Sequence, residues 1–386
     1  MLDVRARVRR ALKYLALAAV VLVVLGAFGG LMVMISGVVP IKASARHWDI
    51  TAAFLDFAKR RSVKTHTFRM KVPPLEDPGL ALKGAGHYDF ACEPCHGSPS
   101  VQQPRIAYRM TPPPPDLREQ VPTYYPEELF YIVKHGIKFT GMPAWPTQQR
   151  DDEVWAMVAF LRKLPELDAA GYDEMTGTTT AAPDDKLPLE DLMGPTPPVP
   201  DAVAENCARC HGIDGLGRGT GAFPRLAGQR YEYLADSLRA YARGERHSGV
   251  MEPVAANLGA DDMEAIAKYY ADLPPGGPAA AVTDDPDIEA GRRIAAEGIP
   301  GQLIPACSEC HGPGRQRNRH YPRLAGQYAD YLRLQLEVYR DKRRGGTPYH
   351  EIMHKFVGQL TDEHIRAVTK YYASLPGEGS STPPPQ

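Results

Sequence analysis

The first apolar pattern along the chain is also the longest. Leu15 to Val39 runs 25 residues without a charge, behind Arg5, Arg7, Arg9, Arg10 and Lys13. About 20 apolar residues cross a bilayer as a helix, and a basic flank stays on the cytoplasmic side. One transmembrane helix is expected, with the remainder of the chain on the far side. A second basic set, Lys59, Arg60, Arg61, Lys64, Arg69 and Lys71, lies beyond the helix, at a distance where the charge rule weakens. Ala43-Ser44-Ala45 resembles a cleavage site, so a removed leader is the alternative to a retained anchor.

Further on, the apolar spacing is helical. Tyr233, Leu234, Leu238 and Tyr241 share one face, and Tyr331, Leu332, Leu336 and Tyr339 repeat it. Each set follows the same segment, Phe223-Pro224-Arg225-Leu226-Ala227-Gly228-Gln229 and then Tyr321-Pro322-Arg323-Leu324-Ala325-Gly326-Gln327. Each is followed by a closing helix ending in a Tyr-Tyr pair, Tyr269-Tyr270 and Tyr371-Tyr372. Asp261, Asp262, Asp362 and Glu363 fall in the first turns of those helices, where carboxylates suit the dipole. These are two internal repeats. A third closing helix runs from Asp151 to Leu164 and is stopped by Pro165. No alternating strand pattern of useful length occurs, so the fold class is all-α.

The composition shifts divide the chain. Residues 1–46 form a cytoplasmic stub and anchor. Residues 47–78, with Trp48, Phe54, Leu55 and Phe57 beside the basic set, read either as an interfacial helix or as a lead-in helix packed on the next domain. Domains follow at 79–164, 201–273 and 287–375. The linker 165–200, rich in Pro, Thr, Asp and Gly, is expected to be extended, with a shorter one at 274–286. The tail 376–386 is expected to be disordered. A length of 386 residues suits two or three domains. The net charge of −1 gives no support for nucleic-acid binding.

Chemistry enters with the cysteines. All six lie in three Cys-x-x-Cys-His motifs: Cys92, Cys95 and His96; Cys207, Cys210 and His211; Cys307, Cys310 and His311. This pattern reads as c-type haem attachment. Two thiols bond the vinyl groups and the His binds iron from one face. Structural zinc needs four ligands in closely spaced pairs, whereas the second and third pairs are 100 residues apart. A thioredoxin-like pair does not explain the His three times over, and six cysteines are too sparse for a disulfide scaffold. Three covalently bound haem c groups are therefore expected. Each would give a small domain a large apolar centre. Haem is attached outside the cytoplasmic membrane in bacteria, so the motifs also set the orientation: single-pass in the inner membrane, haem domains in the periplasm.

A low-spin haem needs a second axial ligand, and methionine raises the potential relative to a second histidine. Met142 lies 46 residues after His96, Met251 lies 40 after His211 and Met353 lies 42 after His311. Met251 and Met353 hold matched places in the repeats, on a loop expected before the closing helix. Met110, Met157 and Met263 are set aside as packing residues. His350 and His354 compete with Met353 for a bis-His site.

Residues 201–375 resemble cytochrome c4, the dihaem class I cytochrome, through Cys-x-x-Cys-His-Gly, Pro-Arg-Leu-Ala-Gly-Gln, the Tyr/Leu helix, the methionine and the closing Lys-Tyr-Tyr-Ala. The first domain is similar to single-haem class I domains through Pro114 to Leu117 and Thr140 to Trp145. The resemblance covers about two-thirds of the chain and implies three tandem class I cytochrome c domains behind one N-terminal transmembrane helix. It implies that the Pro224 and Pro322 carbonyls accept hydrogen bonds from His211 and His311, with a counterpart among Pro112 to Pro115. It also implies that Arg225, Gln229, Arg323 and Gln327 face haem propionates. The anchor and the 165–200 linker depart from cytochrome c4.

The function expected is single-electron transfer in the periplasm, from a quinol-oxidising complex such as a cytochrome bc complex to a terminal oxidase. Docking would be small and transient, under ~1,200 Å² of interface. No acid–base set, nucleotide loop or other sign of catalysis is present. Two alternatives remain open: the cytochrome subunit of a periplasmic dehydrogenase, or a haem peroxidase or small-molecule oxidoreductase with one open iron site.

Overall fold

The computed structural model describes residues 2–38, 42, 47–177, 199–219, 221–281, 284–312 and 318–378. The first helix, α1 (Leu2–Ser36), stands clear of the rest. Its Arg9–Ser36 portion is long and apolar enough to cross a membrane, and protein buries none of it. Among the described residues there is no strand, only an isolated bridge between Ile299 and Ile304.

The first domain comprises α2 (Asp49–Thr67), α3 (Pro78–Ala91), α4 (Glu93–His96), α5 (Leu117–Gln120), α6 (Pro126–His135), α7 (Asp151–Lys163) and α8 (Ala169–Thr176). Local chemistry starts and stops these helices. The Asp77 carboxylate accepts the Gly79 amide at 2.8 Å, and Pro78 occupies the first helical position of α3. Asp151, Asp152 and Glu153 open α7, and Arg162 and Lys163 close it, matching the helix dipole at both ends. Helices α3 and α7 cross so closely that a Cβ on Gly84 would overlap the Ala156 carbonyl. Tyr88, Phe160, Val154 and Val158 are fully buried beside that crossing. Each large apolar side chain buried there stabilises by about 1.5–3 kcal/mol.

Two expectations change here. The linker anticipated from residue 165 starts later, because Asp168 caps α8 through the Gly171 amide at 2.8 Å. Tyr172 of α8 then packs edge-on to Tyr88, ring centres 6.2 Å apart, in the first domain's core. Residues 178–198 of that linker and 379–386 of the tail lie outside the described residues. Helix α2 packs on α6 through its C-terminal half: His66 stacks on Tyr131 at 5.2 Å, and Val63 and Thr67 are buried. Its N-terminal half leaves Trp48, Phe54 and Phe57 exposed at 65%, 67% and 64%.

The second domain is built from α9 (Asp201–Asn206), α10 (Ala208–His211), α11 (Tyr231–Ala242), α12 (Met251–Ala256) and α13 (Ala260–Asp272). The third repeats it as α14 (Pro286–Glu297), α15 (Ser308–His311), α16 (Ala329–Arg340), α17 (His350–Val357) and α18 (Asp362–Ser374). Gly291 in α14 meets the Ala367 carbonyl of α18, the same close crossing as Gly84 on Ala156. Both connections expected to be loose are partly tied down. Ala279 and Ala280 donate to the Ala373 carbonyl at 2.9 and 3.0 Å, and Gly377 donates to Gly276 at 3.0 Å.

Candidate functional site: three Cys-x-x-Cys-His turns

Each motif folds into one helical turn. The His96, His211 and His311 amides each donate to the carbonyl of the first cysteine, Cys92, Cys207 and Cys307, at 2.9 Å. That bond places the first thiol and the imidazole on one face, one turn apart. The Cys95, Cys210 and Cys310 amides reach the same carbonyls at 3.0, 3.2 and 3.2 Å. No disulfide joins any of the six cysteines. Burial pushes Cys92 and Cys207 up to about 12 and Cys307 up to about 11. A redox-active pair needs a stabilised thiolate, and these buried thiols have the opposite environment.

The imidazoles are held alike. Nδ1 of His96 lies 2.9 Å from the Pro115 carbonyl, Nδ1 of His211 lies 3.0 Å from Pro224, and Nδ1 of His311 lies 2.9 Å from Pro322. A carbonyl can only accept, so Nδ1 carries the proton and Nε2 keeps its lone pair for a metal. Burial lowers the pKa of all three rings, which keeps them neutral.

A cleft of about 1500 Å³, open mouth included, lies over the third motif. Cys307, Cys310, His311, Met353, Leu332 and Val368 line it, and Pro224, Arg225 and Leu234 of the second domain reach into it. Its polar edge asks for an anion. Among the described residues, Nε of Arg225 and Nε of Arg344 are buried without a hydrogen-bond partner, and both residues line the cleft. An apolar slot with two thiols, one imidazole and orphaned cationic donors at its rim fits haem and its carboxylates.

The methionines are positioned differently from one another. Met142 is half-buried in a bend after Gly141, its amide 3.1 Å from Thr140 Oγ1. Met110, set aside from the sequence, has its Cε against Gly141. Met251 and Met353 lie on short helices rather than on a loop: Met251 opens α12 and Met353 lies inside α17. Of the competing histidines, His354 has its Nε2 committed, whereas His350 is held through Nδ1 as the three motif histidines are, which leaves its Nε2 lone pair available. His354 Nε2 is 2.7 Å from the Arg344 carbonyl and His350 Nδ1 is 2.8 Å from the Thr347 carbonyl.

The four side chains implied to face propionates meet first at a seam between the repeats. Gln327 donates to the Arg225 carbonyl at 2.9 Å and accepts the Arg225 amide at 3.0 Å. Gln229 makes the reciprocal exchange with Arg323 at 3.0 and 2.8 Å. The glutamine amides are thus committed to the seam, because repeated segments pack across a pseudo-twofold axis and each satisfies the other's backbone. Arg225 also donates to the Gly277 and Gly326 carbonyls at 2.6 and 3.0 Å, and its Nε has no partner among the described residues.

Sequence reading missed a second pair at this seam. Arg246 and Arg344 are buried, and among the described residues their side-chain partners are phenols, a serine and an amide rather than carboxylates. Burial would raise the Tyr233 phenol, but Arg344 and Arg246 outweigh it and draw it below its usual value. That imbalance again marks a site that seeks negative charge. The matched places of Arg246 and Arg344 in the repeats were the available signal.

The first domain joins the same body. Asp89 of α3 pairs with Arg209, which lies between Cys207 and Cys210, and a Cβ on Gly86 would sit 3.3 Å from Cys210 Sγ. The three attachment turns are therefore fixed relative to one another.

The family model for cytochrome c oxidase, cbb3-type, subunit III matches residues 79–161, and that for cytochrome c matches 201–273 and 288–376. A thiosulfate dehydrogenase electron acceptor of Thiomonas intermedia is 38% identical over 174 residues, 45% of this chain and 80% of that protein. The cytochrome c4 of Thiocapsa roseopersicina is 35% identical over 173 residues, 44% of this chain and 86% of that protein. The solved cytochrome c4 of Acidithiobacillus ferrooxidans is 32% identical, with 44% of this chain and 99% of that chain covered at a TM-score of 0.39. The chain belongs to the cytochrome c family: it is a multihaem c-type cytochrome, an electron carrier whose C-terminal region is related to dihaem cytochrome c4 and to the electron acceptor of thiosulfate dehydrogenase.

Proposed function

We propose that this chain carries single electrons at the periplasmic face of a bacterial inner membrane, between a quinol-oxidising complex and a terminal oxidase, with α1 as a single-pass anchor. The observation that carries this reading is the packing of three identical Cys-x-x-Cys-His turns, each with its imidazole on a proline carbonyl, into one connected body. A body of that kind suits carriage over a distance better than chemistry at one site.

The residues divide the work plainly. Cys92, Cys95, Cys207, Cys210, Cys307 and Cys310 would tether three haem c groups. His96, His211 and His311 would bind iron through Nε2, and Met142, Met251 and Met353 would bind from the other face. Haem bound in this way supplies a one-electron iron couple whose potential the axial ligands and their hydrogen bonds set. The carbonyls of Pro115, Pro224 and Pro322 hold the imidazoles in orientation. The guanidiniums of Arg225, Arg323 and Arg344 would hold the carboxylates, and the apolar walls exclude water.

The decisive experiment mixes the reduced holoprotein with a membrane oxidase and the oxidised holoprotein with a quinol-oxidising complex, and follows both by stopped flow. Fast transfer in both directions is expected. A second reading has its own support: the relatedness to thiosulfate dehydrogenase electron acceptors favours a periplasmic dehydrogenase as donor. Fast reduction by such an enzyme, with none by the quinol-oxidising complex, would decide for it. Carbon monoxide separates a third reading, since three six-coordinate haems ignore the gas and a peroxidase-like haem binds it.

A further inference from the structure

We propose that the first domain positions Met251, so that the iron–thioether bond of the second haem is set across the domain boundary by Arg150 and Glu153 of the α7 start. The inference rests on Met251 being the sixth ligand of that haem.

The segment before Met251 commits three polar groups to the first domain, while the Ser248 amide donates to Glu252 of its own domain at 2.7 Å. Glu153 accepts the Ser248 hydroxyl at 2.7 Å through one carboxylate oxygen and the Gly249 amide at 2.6 Å through the other. Arg150 donates to the His247 carbonyl at 2.9 Å. The Ser248 hydroxyl in turn accepts the amide of Met251 at 3.0 Å. The backbone of Met251 is therefore one hydroxyl away from the Glu153 carboxylate.

This contact is stiff because the charges are buried. Arg150 is 7% exposed and Glu153 4%, and they pair at 3.1 Å. Asp152 accepts from Nε and Nη2 of Arg150 at 2.9 Å each, Nη2 being the atom that also faces Glu153. A buried ion pair is tolerated only when its remaining donors and acceptors are satisfied, and losing those partners is costly. Here the 247–249 segment supplies them. Withdrawing it would strip two hydrogen bonds from a buried carboxylate and one from a buried guanidinium.

Apolar packing fixes the same segment. Val250 packs against the first domain's hydrophobic core. The Trp145 indole covers Gly249 so closely that a Cβ there would overlap it. With Met353 aligned on Met251, the third domain has His350 and Glu351 in place of Ser248 and Gly249. A Glu side chain at the position of Gly249 would strike Trp145, so the first domain fits the second repeat and not the third. Met353 lies inside α17, and the segment before it packs at Gly345 and Gly346 on Glu245 and Ala240 of the second domain, not on the α7 start.

Methionine is a weak axial ligand and its placement tunes the iron potential. The test uses full-length holoprotein carrying Glu153→Gln, with Gly249→Ala as a second variant that displaces Trp145 and leaves the ion pair. Three midpoint potentials are read by spectroelectrochemistry, together with the weak red absorption of methionine-ligated ferric haem and the haem count by mass. One midpoint should fall, the same one that Met251→Ala lowers, with loss of red absorption, three haems retained and the other two midpoints unmoved. Glu153→Asp, which keeps the charge, should shift it less. Wild-type midpoints in both variants beside a shifted Met251→Ala overturn this inference alone. A shift confined to the haem that Met142→Ala moves also overturns it. Met251→Ala without any shift overturns the ligand reading, and the inference with it.

Discussion

Arg344, in the third domain, donates a 2.7 Å hydrogen bond to the phenolic oxygen of Tyr233 in the second. The reverse pair, Arg246 to Tyr331, is longer at 3.4 Å. The repeats therefore exchange arginines across their seam, but not evenly. Removing one partner of a buried hydrogen bond leaves the other unsatisfied and costs about 1–3 kcal/mol. Tyr233→Phe should destabilise the second and third domains by that order. Tyr331→Phe should cost less, because its bond is near the limit of a hydrogen bond. Thermal unfolding of the two variants provides the comparison, and equal losses would show that the asymmetry has no energetic meaning.

Stability should fall in acid for a reason located at Asp152. Burial would push its carboxyl up, but Lys83 and Arg150 outweigh burial and hold it below the usual carboxylate range. The folded pKa lies below the unfolded one, so the stabilisation is complete above about pH 4 and is lost as pH falls further. The Asp152 side chain is 24% exposed, so salt should weaken the effect. Asp152→Asn should lower the melting temperature at neutral pH and flatten its dependence below about pH 4. An Asn variant with an unchanged acid slope would place the titrating group elsewhere.

Replacing methionine should separate ligands from packing. Met353→Ala should lower the potential of one haem and leave its thioether attachment intact, because Cys307 and Cys310 hold it independently. His354→Ala should leave all three potentials in place, since its Nε2 is already committed to the Arg344 carbonyl. If His350→Ala or His354→Ala moves a potential and Met353→Ala does not, the third site is bis-His.

What the sequence made legible was what is local or repeated. The attachment turns need only five consecutive residues, and the all-α class follows from helical spacing that recurs in each repeat. The pairing of Pro224 and Pro322 with His211 and His311 came from the resemblance to cytochrome c4, and the structure places each proline carbonyl on its imidazole. Long-range chemistry was not legible. Glu153 and Ser248 are 95 positions apart and belong to different domains, so neither periodicity nor repeat links them. Helix α8 was hidden in a stretch rich in turn formers, since Tyr172 is fixed by contacts with Tyr88 and Phe160 rather than by its neighbours. The glutamines of the repeated segment were visible, but their seam bonds were not, because a residue that serves a seam looks the same in sequence as one that lines a cleft.

Membrane attachment should have two separable parts. Helix α1 has an uncharged apolar span of the required length, and α2 adds Trp48, Phe54 and Phe57, exposed beside the basic Lys59, Arg60 and Arg61. Aromatic residues flanked by cations favour the interface of an anionic bilayer, but such binding is reversible and weakens with salt. Replacing residues 1–46 with a cleavable signal should therefore yield soluble holoprotein at high ionic strength, with weak binding to anionic vesicles at low ionic strength. Trp48→Ser with Phe54→Ser and Phe57→Ser should abolish that residual binding without unfolding the first domain, because α2 docks on α6 through Val63, His66 and Thr67 instead. Vesicle flotation reads both steps. Flotation that persists in high salt after the truncation would mean that α2 inserts rather than rests at the surface.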